Sequence, residues 1–334
     1  MTSIKLLLLF CITAHAAPKD TFTFTGKVLI TTGDSNKTTT EIFDLRDPTN
    51  KCENLPDYPL GVEFASGGLI QDKYPLVCGG AICSNFHPYN HTVDDCYYYD
   101  PDSKAWEFST PMIQPRGGHA SVVINKNTLW ITGDDYLDKT ISELITPTFP
   151  GANVELGPTV PESGIVEHCV VDLSNHNYLL IGKNSVWFYN MDSDTWTKGP
   201  NLAIARGLNS CGLLRTEDKS TFVVVVGGEY LLESVEIMEV SQENGMIDGA
   251  EWLEGPPLPF KLYGHASVVF DNSLFTFGGA MNYGEITNKV MQLSYKLGTC
   301  DAGRWEWSEL GETQVKRLNL VAMEVPDEIV ICEK

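Results

Sequence analysis

Six short runs of apolar residues end in glycine and recur about every fifty residues along the chain. Continuous apolar runs of this length are typical of strands buried on both faces. A regular period in a strand-rich chain predicts a radial array of small sheets. The runs occupy residues 28–33, 75–80, 129–133, 178–182, 223–228 and 274–279.

A second signature follows some of these runs. Tyr99 precedes Trp106 and Tyr189 precedes Trp196, each pair with six residues between its members. A proline-rich turn and an arginine come next, and a new apolar strand then opens. This order of glycine run, Tyr-x6-Trp, turn and strand resembles the kelch repeat, the four-stranded blade of a β-propeller.

The resemblance implies an all-β, kelch-type β-propeller with six or seven blades. Each blade would have four antiparallel strands, labelled a to d from the central channel outward. One propeller would fill residues 17–334, and its C-terminal strand pair, 320–332, would complete the blade begun at the N-terminus, because closure removes exposed strand edges. The six repeats lie near residues 28–59, 67–112, 119–161, 168–202, 211–258 and 265–310.

The family pattern also assigns structural roles. Diglycines would end strand b where neighbouring backbones crowd, and Tyr and Trp would fill the wedges between blades. We therefore expect Trp106 and Trp196 to be buried. The residues with these roles are Gly79, Gly80, Gly227, Gly228, Gly278, Gly279, Tyr99, Trp106, Tyr189 and Trp196.

The N-terminus has the pattern of a secretory signal. Lys5 precedes an apolar run, and Ala14-His15-Ala16 offers a small-x-small cleavage site. We expect residues 1–16 to be removed and the protein to be extracellular. The sequons at Asn36 and Asn90 fit a secreted glycoprotein.

Eight cysteines follow the signal, and an even number in a secreted chain favours disulfides over metal ligation. Cys78 ends strand b and Cys96 starts strand c of one hairpin, so these two should pair. Cys169 and Cys211 hold equivalent places on successive innermost strands and should link two blades. Elimination then leaves Cys52 with Cys83, and Cys300 with Cys332.

Charge and motifs limit the classes of partner and of functional site that the sequence favours. The net charge of −21 argues against nucleic acid and anionic membranes as partners and permits a basic protein partner. His119 and His265 recur at one framework position, with His168 close to it, which favours a structural role over metal binding. Arg116 and Arg206 also recur, and we expect them to bond turn carbonyls or neighbouring blades. No cofactor, metal or catalytic constellation is predicted.

We therefore predict a monomeric, non-catalytic module that binds a protein through its b–c and d–a loops, since kelch propellers commonly bind proteins through one face. The alternatives are an extracellular enzyme, either a copper radical oxidase or a glycan-processing type, and a structural matrix component. Exposed aromatic and polar side chains suit an interface. The candidates are Tyr89, Tyr136, Tyr230, Tyr263, Tyr283, Asp134, Asp135 and Asn282.

Overall fold

The computed structural model describes most of the chain as a ring of antiparallel sheets. It describes residues 22–33, 38–82, 91–133, 140–162, 165–216, 220–229, 232–240, 250–282, 285–296 and 304–332. The described residues are almost entirely strands and turns, apart from one short 3₁₀ turn, Asp327–Ile329. The all-β prediction is confirmed.

The strands are numbered along the chain, and the blades follow the order of the sequence repeats. Blade 1 contains β1 (Lys27–Thr32) and β2 (Glu41–Asp44). Blade 2 contains β3 (Ser66–Ile70), β4 (Tyr74–Cys78), β5 (Asp95–Asp100) and β6 (Ala105–Pro111). Blade 3 contains β7 (Ala120–Ile124), β8 (Thr128–Thr132), β9 (Ile141–Pro147) and β10 (Ala152–Thr159).

The second half of the chain continues in the same way. Blade 4 contains β11 (Cys169–Ser174), β12 (Asn177–Ile181), β13 (Val186–Asn190) and β14 (Thr195–Lys198). Blade 5 contains β15 (Ser210–Arg215), β16 (Thr221–Val226), β17 (Val235–Val240) and β18 (Leu253–Glu254). Blade 6 contains β19 (Ala266–Phe270) and β20 (Ser273–Phe277), a small hairpin of β21 (Ala280–Asn282) and β22 (Glu285–Ile286), then β23 (Lys289–Lys296) and β24 (Arg304–Glu312). The last strand is β25 (Leu320–Val325).

The innermost strands form a closed ring of six. In order they are β25, β3, β7, β11, β15 and β19, and each contacts the next around the circle. The blade count is therefore six rather than seven. Apolar side chains from the facing sheets of adjacent blades form the core; Leu179 and Ile181 of blade 4, for example, pack with Val223 and Val225 of blade 5.

Blade 1 is built from both ends of the chain. Strand β25 pairs with β1 from Lys27↔Val325 to Thr32↔Leu320, so the C-terminal segment supplies strand a and the N-terminal segment strands b and c. An isolated bridge between Thr40 and Leu55 holds the outermost segment. Of the expected C-terminal strand pair, only the first strand forms, as β25. The chain after β25 makes the 3₁₀ turn, and Cys332 then forms an isolated β-bridge with Cys52.

Three disulfides are present among the described residues. Cys78–Cys96 lies within the β4–β5 hairpin, and Cys169–Cys211 joins the innermost strands of blades 4 and 5. The third is Cys52–Cys332, so the pairings of Cys52 with Cys83 and of Cys300 with Cys332 are wrong. Elimination failed because the chain end returns to the outer edge of blade 1. Cys83 and Cys300 lie outside the described residues.

The diglycine at the end of β16 shows why strand b ends as it does. Gly227 and Gly228 both have positive φ, at 61° and 128°. A Cβ on Gly227 would lie 2.4 Å from the carbonyl oxygen of Leu262 in the next crossover, which only glycine avoids. The Gly228 N–H donates to that same oxygen at 2.8 Å. The diglycine thus lets one blade dock on the backbone of the next.

The tryptophans of strand d lie in the wedges between blades but are not fully buried. Trp106 and Trp196 are each half-buried, so the expectation that they are buried is wrong. The indole N–H of Trp106 donates to the Pro56 carbonyl of the preceding blade at 3.0 Å. Trp252 and Trp307 make the same bond to Pro200 and Pro256. Solvent reaches these rings because the wedge opens toward the outside of the propeller.

Removing the Cys52–Cys332 disulfide should destabilise the ring strongly. The disulfide links residues 280 positions apart, and a cross-link over a long loop restricts the unfolded chain most. We expect Cys52→Ala/Cys332→Ala to lower the free energy of unfolding by about 4–5 kcal/mol in urea titrations. Cys78→Ala/Cys96→Ala is the comparison, since that bond spans only 18 positions and should cost about 3 kcal/mol by the same argument. An unchanged midpoint in the Cys52/Cys332 variant would contradict this account.

Candidate functional site

The b–c loops and the d–a crossovers lie at the same end of the propeller, and we call this end the crossover face. Each crossover leads from the outermost strand of one blade to the innermost strand of the next. The described crossover segments include residues 56–65, 112–119, 165–168, 199–209, 255–265 and 313–319.

A buried arginine fixes the crossover between blades 2 and 3. Arg116 and its partner Glu143, on β9, are both 0% exposed, with Nη2 to Oε1 at 2.9 Å. Arg116 also donates to the carbonyls of Gly133 and Ile141. The second carboxylate oxygen of Glu143 accepts the Ile113 N–H at 2.6 Å. One ion pair thus ties a crossover to a b–c loop.

Two further crossovers repeat this arrangement. Arg206 pairs with Glu236 of blade 5 at 2.7 Å, and Arg317 pairs with Glu41 of blade 1 at 3.2 Å. Burial lowers the pKa of Arg206 and raises the pKa of Glu41, although the adjacent Arg317 opposes the shift at Glu41. Each arginine also bonds loop carbonyls, as expected for Arg116 and Arg206.

The ion pairs alternate with apolar contacts around the ring. The crossovers into blades 1, 3 and 5 carry arginine, whereas those into blades 2, 4 and 6 carry a buried aliphatic residue at the corresponding place. These residues are Val62, Ile165 and Leu262. The strand registers place an uncharged residue where the glutamates stand in the other blades, namely Tyr97, Trp187 and Met291.

The crossovers converge on a narrow mouth of the central channel. Six residues, one from each crossover, have positive φ there, and they line a small cavity of about 120 Å³. They are Phe64, Gly118, Glu167, Leu208, Gly264 and Asn319. This tight backbone constriction leaves room for little more than a few water molecules.

The recurring histidines are buried beside this mouth. His168 Nε2 bonds Thr132 Oγ1, and His265 Nε2 bonds Ser210 Oγ, both at 2.8 Å and both across a blade boundary. Desolvation lowers the pKa of each imidazole to about 3, so both remain neutral at pH 7. His119 is also buried. These contacts assign His168 and His265 a packing role.

Most of the residues predicted to bind a partner lie outside the described residues. Tyr263 is half-buried in the crossover into blade 6, where its backbone pairs with Ala280. The backbone of Asn282 lies in β21, in the b–c connection of blade 6. The other predicted sites fall outside the described residues, as do both sequons. They are Tyr89, Tyr136, Tyr230, Tyr283, Asp134, Asp135, Asn36 and Asn90.

Exposed isoleucines mark the crossover face, a feature that the sequence analysis missed. Four of the eight large exposed apolar side chains in the described part of the chain lie there, each 37–49% exposed. They are Ile82, Ile113, Ile141 and Ile204. Phe108, Leu156 and Leu253 instead lie on outermost strands and Ile331 lies near the C-terminus. A sequence signal exists only for Ile113 and Ile204, which both precede a recurring arginine.

The opposite end of the channel is wide. A cavity of about 730 Å³ opens among the a–b turns, at the ends of the innermost strands of blades 1 to 4. Its charged and titratable lining groups are Asp72, Lys126, Asp172, His176, Tyr178 and Glu324. Lys126 pairs with Asp72 at 2.5 Å, and His176 bonds Asp192 at 2.7 Å.

Among the described residues, no three His, Cys, Asp or Glu side chains are grouped closely enough to hold a metal ion. No helix in the described part of the chain is long and apolar enough to cross a membrane.

Comparisons with known proteins agree with the propeller architecture. No family model matches the chain. Kelch-like protein 40 from Xenopus laevis is 28% identical over 130 residues, and its Xenopus tropicalis counterpart is 26% identical over the same length. Each match covers 39% of this chain and 19% of the relative. The matched part of the chain therefore spans about a fifth of the relatives' length. A solved structure entitled "Structure of YjhT" superposes with a TM-score of 0.64 at 16% identity, covering 86% of this chain and 98% of that one.

Substituting Arg116 should destabilise the protein far more than substituting an exposed cation. Arg116→Met leaves Glu143 buried without its ionic partner, and we expect it to cost about 3–5 kcal/mol in urea unfolding. Arg116→Met/Glu143→Met should recover part of that loss, because no charge then stays buried alone. Lys126→Met breaks an exposed ion pair and should cost at most about 1 kcal/mol. Equal costs for the two single substitutions would disprove the anchoring role of Arg116.

Proposed function

Because the chain is a kelch-repeat β-propeller, we propose that it is a non-catalytic binding module that recognises a protein partner through its crossover face. The four exposed isoleucines of that face carry the proposal. Exposed apolar side chains on a rigid support are typical of interaction sites. The net charge of −21 favours a partner with a basic surface.

The rigidity of the support strengthens this assignment. Ile113 lies three residues before the buried Arg116, and its N–H is bonded to Glu143. Ile204 lies two residues before Arg206, and its N–H donates to Glu236 at 3.2 Å. Both isoleucines are therefore presented on backbone that ion pairs hold in place. Preorganised contacts of this kind lose little conformational entropy on binding.

The aromatic residues of the b–c loops extend the same proposed surface. Tyr136, Tyr230 and Tyr283 occupy corresponding loops in the sequence repeat. Tyrosine supplies a large contact area with a polar tip, which makes it frequent among residues that dominate binding energy. We assign these three tyrosines, with Tyr89 and Tyr263, to the proposed interface.

We also propose that the protein is secreted and glycosylated. The signal-like N-terminus, the two sequons and three disulfides support this location, since disulfides persist in oxidising compartments. Expressed from its own N-terminus in cultured eukaryotic cells, the protein should appear in the medium with a new N-terminus near residue 17. Enzymatic removal of N-glycans should reduce its mass, and Asn36→Gln/Asn90→Gln should abolish that reduction. Retention inside the cell would contradict the proposal.

Photocrosslinking should identify a partner at the crossover face and not at the outer edge. A photoreactive phenylalanine analogue at Ile113 or Ile204 should capture a protein from extracellular fluid. The same analogue at Leu156 or Leu253 is the matched control, since both side chains are exposed on outermost strands. Ile113→Asp/Ile204→Asp should then weaken binding of the purified partner by at least about tenfold, because charge would replace apolar contacts at the interface.

Two outcomes would overturn this assignment. Equal capture from the outer-strand positions would move the binding surface away from the crossover face. Undiminished binding by the double aspartate variant, and by Tyr136→Ala/Tyr230→Ala/Tyr283→Ala, would have the same meaning. Melting temperatures should stay close to that of the parent protein, so that lost binding is not confused with lost folding. Stoichiometric copper in the purified protein would instead support the oxidase alternative.

A further inference from the structure

The wide cavity on the opposite face has its own recognition chemistry. Its volume of about 730 Å³ falls within the range of about 300–1,000 Å³ that small-molecule sites occupy. The crossover face does not contribute to it, because none of the lining residues belongs to a b–c loop or to a crossover. An inference about this cavity is therefore independent of the proposed protein interface.

Two carboxylates lie on opposite walls of this cavity. Glu324 is on β25 of blade 1, and Asp172 is on β11 of blade 4. In a ring of six, these blades face each other across the channel. Among the described residues, neither carboxylate forms an ion pair with Lys or Arg, whereas Asp72 is neutralised by Lys126. The cavity thus has two acidic poles without a cationic partner.

One oxygen of the Glu324 carboxyl lacks a hydrogen-bond partner in the described part of the chain, while the Gly26 N–H donates to this carboxyl. Its Oε1 atom is buried with no hydrogen-bond partner among the described residues. The pKa of this carboxyl is raised to about 7, chiefly by desolvation; the hydrogen bond from the Gly26 N–H opposes the shift, and the charge of Asp327 adds to it. Asp172 stays accessible to solvent, but the surrounding walls still raise its pKa by desolvation. Both groups would gain from a cation bound beside them.

Between the two acidic poles, the innermost strands carry apolar side chains at the cavity. Going round the ring from β25 to β11, the lining residues of the intervening innermost strands are Leu69 on β3 and Val123 on β7. Phe24 adds an aromatic ring to the same cavity. On the innermost strands the order is therefore carboxylate, aliphatic, aliphatic, carboxylate, while Asn125 and the Asp72–Lys126 ion pair line the cavity from the adjoining a–b turns.

We propose that this cavity binds a linear aliphatic di- or polyamine. One ammonium would pair with Glu324, the other would pair with Asp172, and the methylene chain would cover Leu69 and Val123. Charge at both ends and apolar surface between them is the complement of the order just described. A single metal ion would match this order less well, because the two carboxylates stand on opposite sides of the channel.

Calorimetry with purified full-length protein tests the proposal. The probes are ethylenediamine, putrescine, cadaverine and spermidine, with n-pentylamine as the singly charged match to cadaverine. Affinity should depend on chain length, with an optimum, and the best diamine should bind at least about tenfold more tightly than the monoamine. Glu324→Gln and Asp172→Asn should each weaken the best diamine by at least about tenfold, because each removes one ion pair.

Nonspecific attraction to an acidic protein is the main competing explanation. Glu155→Gln removes a carboxylate from the exposed outer strand β10 and should leave affinity unchanged. Melting temperatures of all variants show whether they fold. Equal weakening by Glu155→Gln and Glu324→Gln, or equal affinity for cadaverine and n-pentylamine, would overturn the proposal. If one cavity variant fails to fold, the other still decides the outcome.

Discussion

Three buried arginine–glutamate pairs determine the shape of the crossover face. Each pair lies where a chain segment leaves one blade and enters the next, a place with many loop carbonyls and N–H groups. The guanidinium groups of Arg116, Arg206 and Arg317 satisfy the carbonyls, and the carboxylates satisfy the N–H groups. A buried charge is costly unless it is fully paired, so these loops have little freedom to take another conformation.

The two ends of the channel differ because different backbone segments close them. At the crossover end, positive-φ residues from every crossover crowd toward the axis and leave a cavity of about 120 Å³. At the other end the a–b turns surround a wider cavity of about 730 Å³. A large flat partner suits the first end, whereas a small ligand suits the second. One scaffold can therefore carry two unrelated recognition tasks.

The repeat pattern predicted much of the fold. Glycine runs and Tyr-x6-Trp pairs indicate the order of consecutive strands, and most blades are built from strands that are consecutive in the sequence. The period predicted the ring but left the blade count at six or seven. The position of the wedge tryptophans between blades was predicted, but their degree of burial was not. The sequence does not show how far the space between two blades opens to solvent. The disulfide of Cys52 was mispredicted, since the path of the C-terminal segment depends on contacts formed only after ring closure.

The candidate sites were harder to predict than the fold. Glu143 stands within Ser142-Glu143-Leu144-Ile145, and Glu236 likewise interrupts an apolar strand. A charge inside a buried strand is a readable signal, and together with a recurring arginine it could have predicted the ion pairs. Glu324 gives no comparable signal, because its importance depends on Asp172, which lies more than a hundred residues away in the sequence and faces it only in the closed ring.

The alternation of ionic and aliphatic crossovers makes the propeller a threefold structure whose unit is two blades. Like junctions recur at every second boundary, so an odd number of blades would place two junctions of the same kind side by side. Adding or removing one blade would then place an arginine crossover against a blade that lacks the buried glutamate. Duplication or loss of a blade pair would keep every junction matched. Relatives built on this pattern are therefore expected to differ from it by two blades at a time.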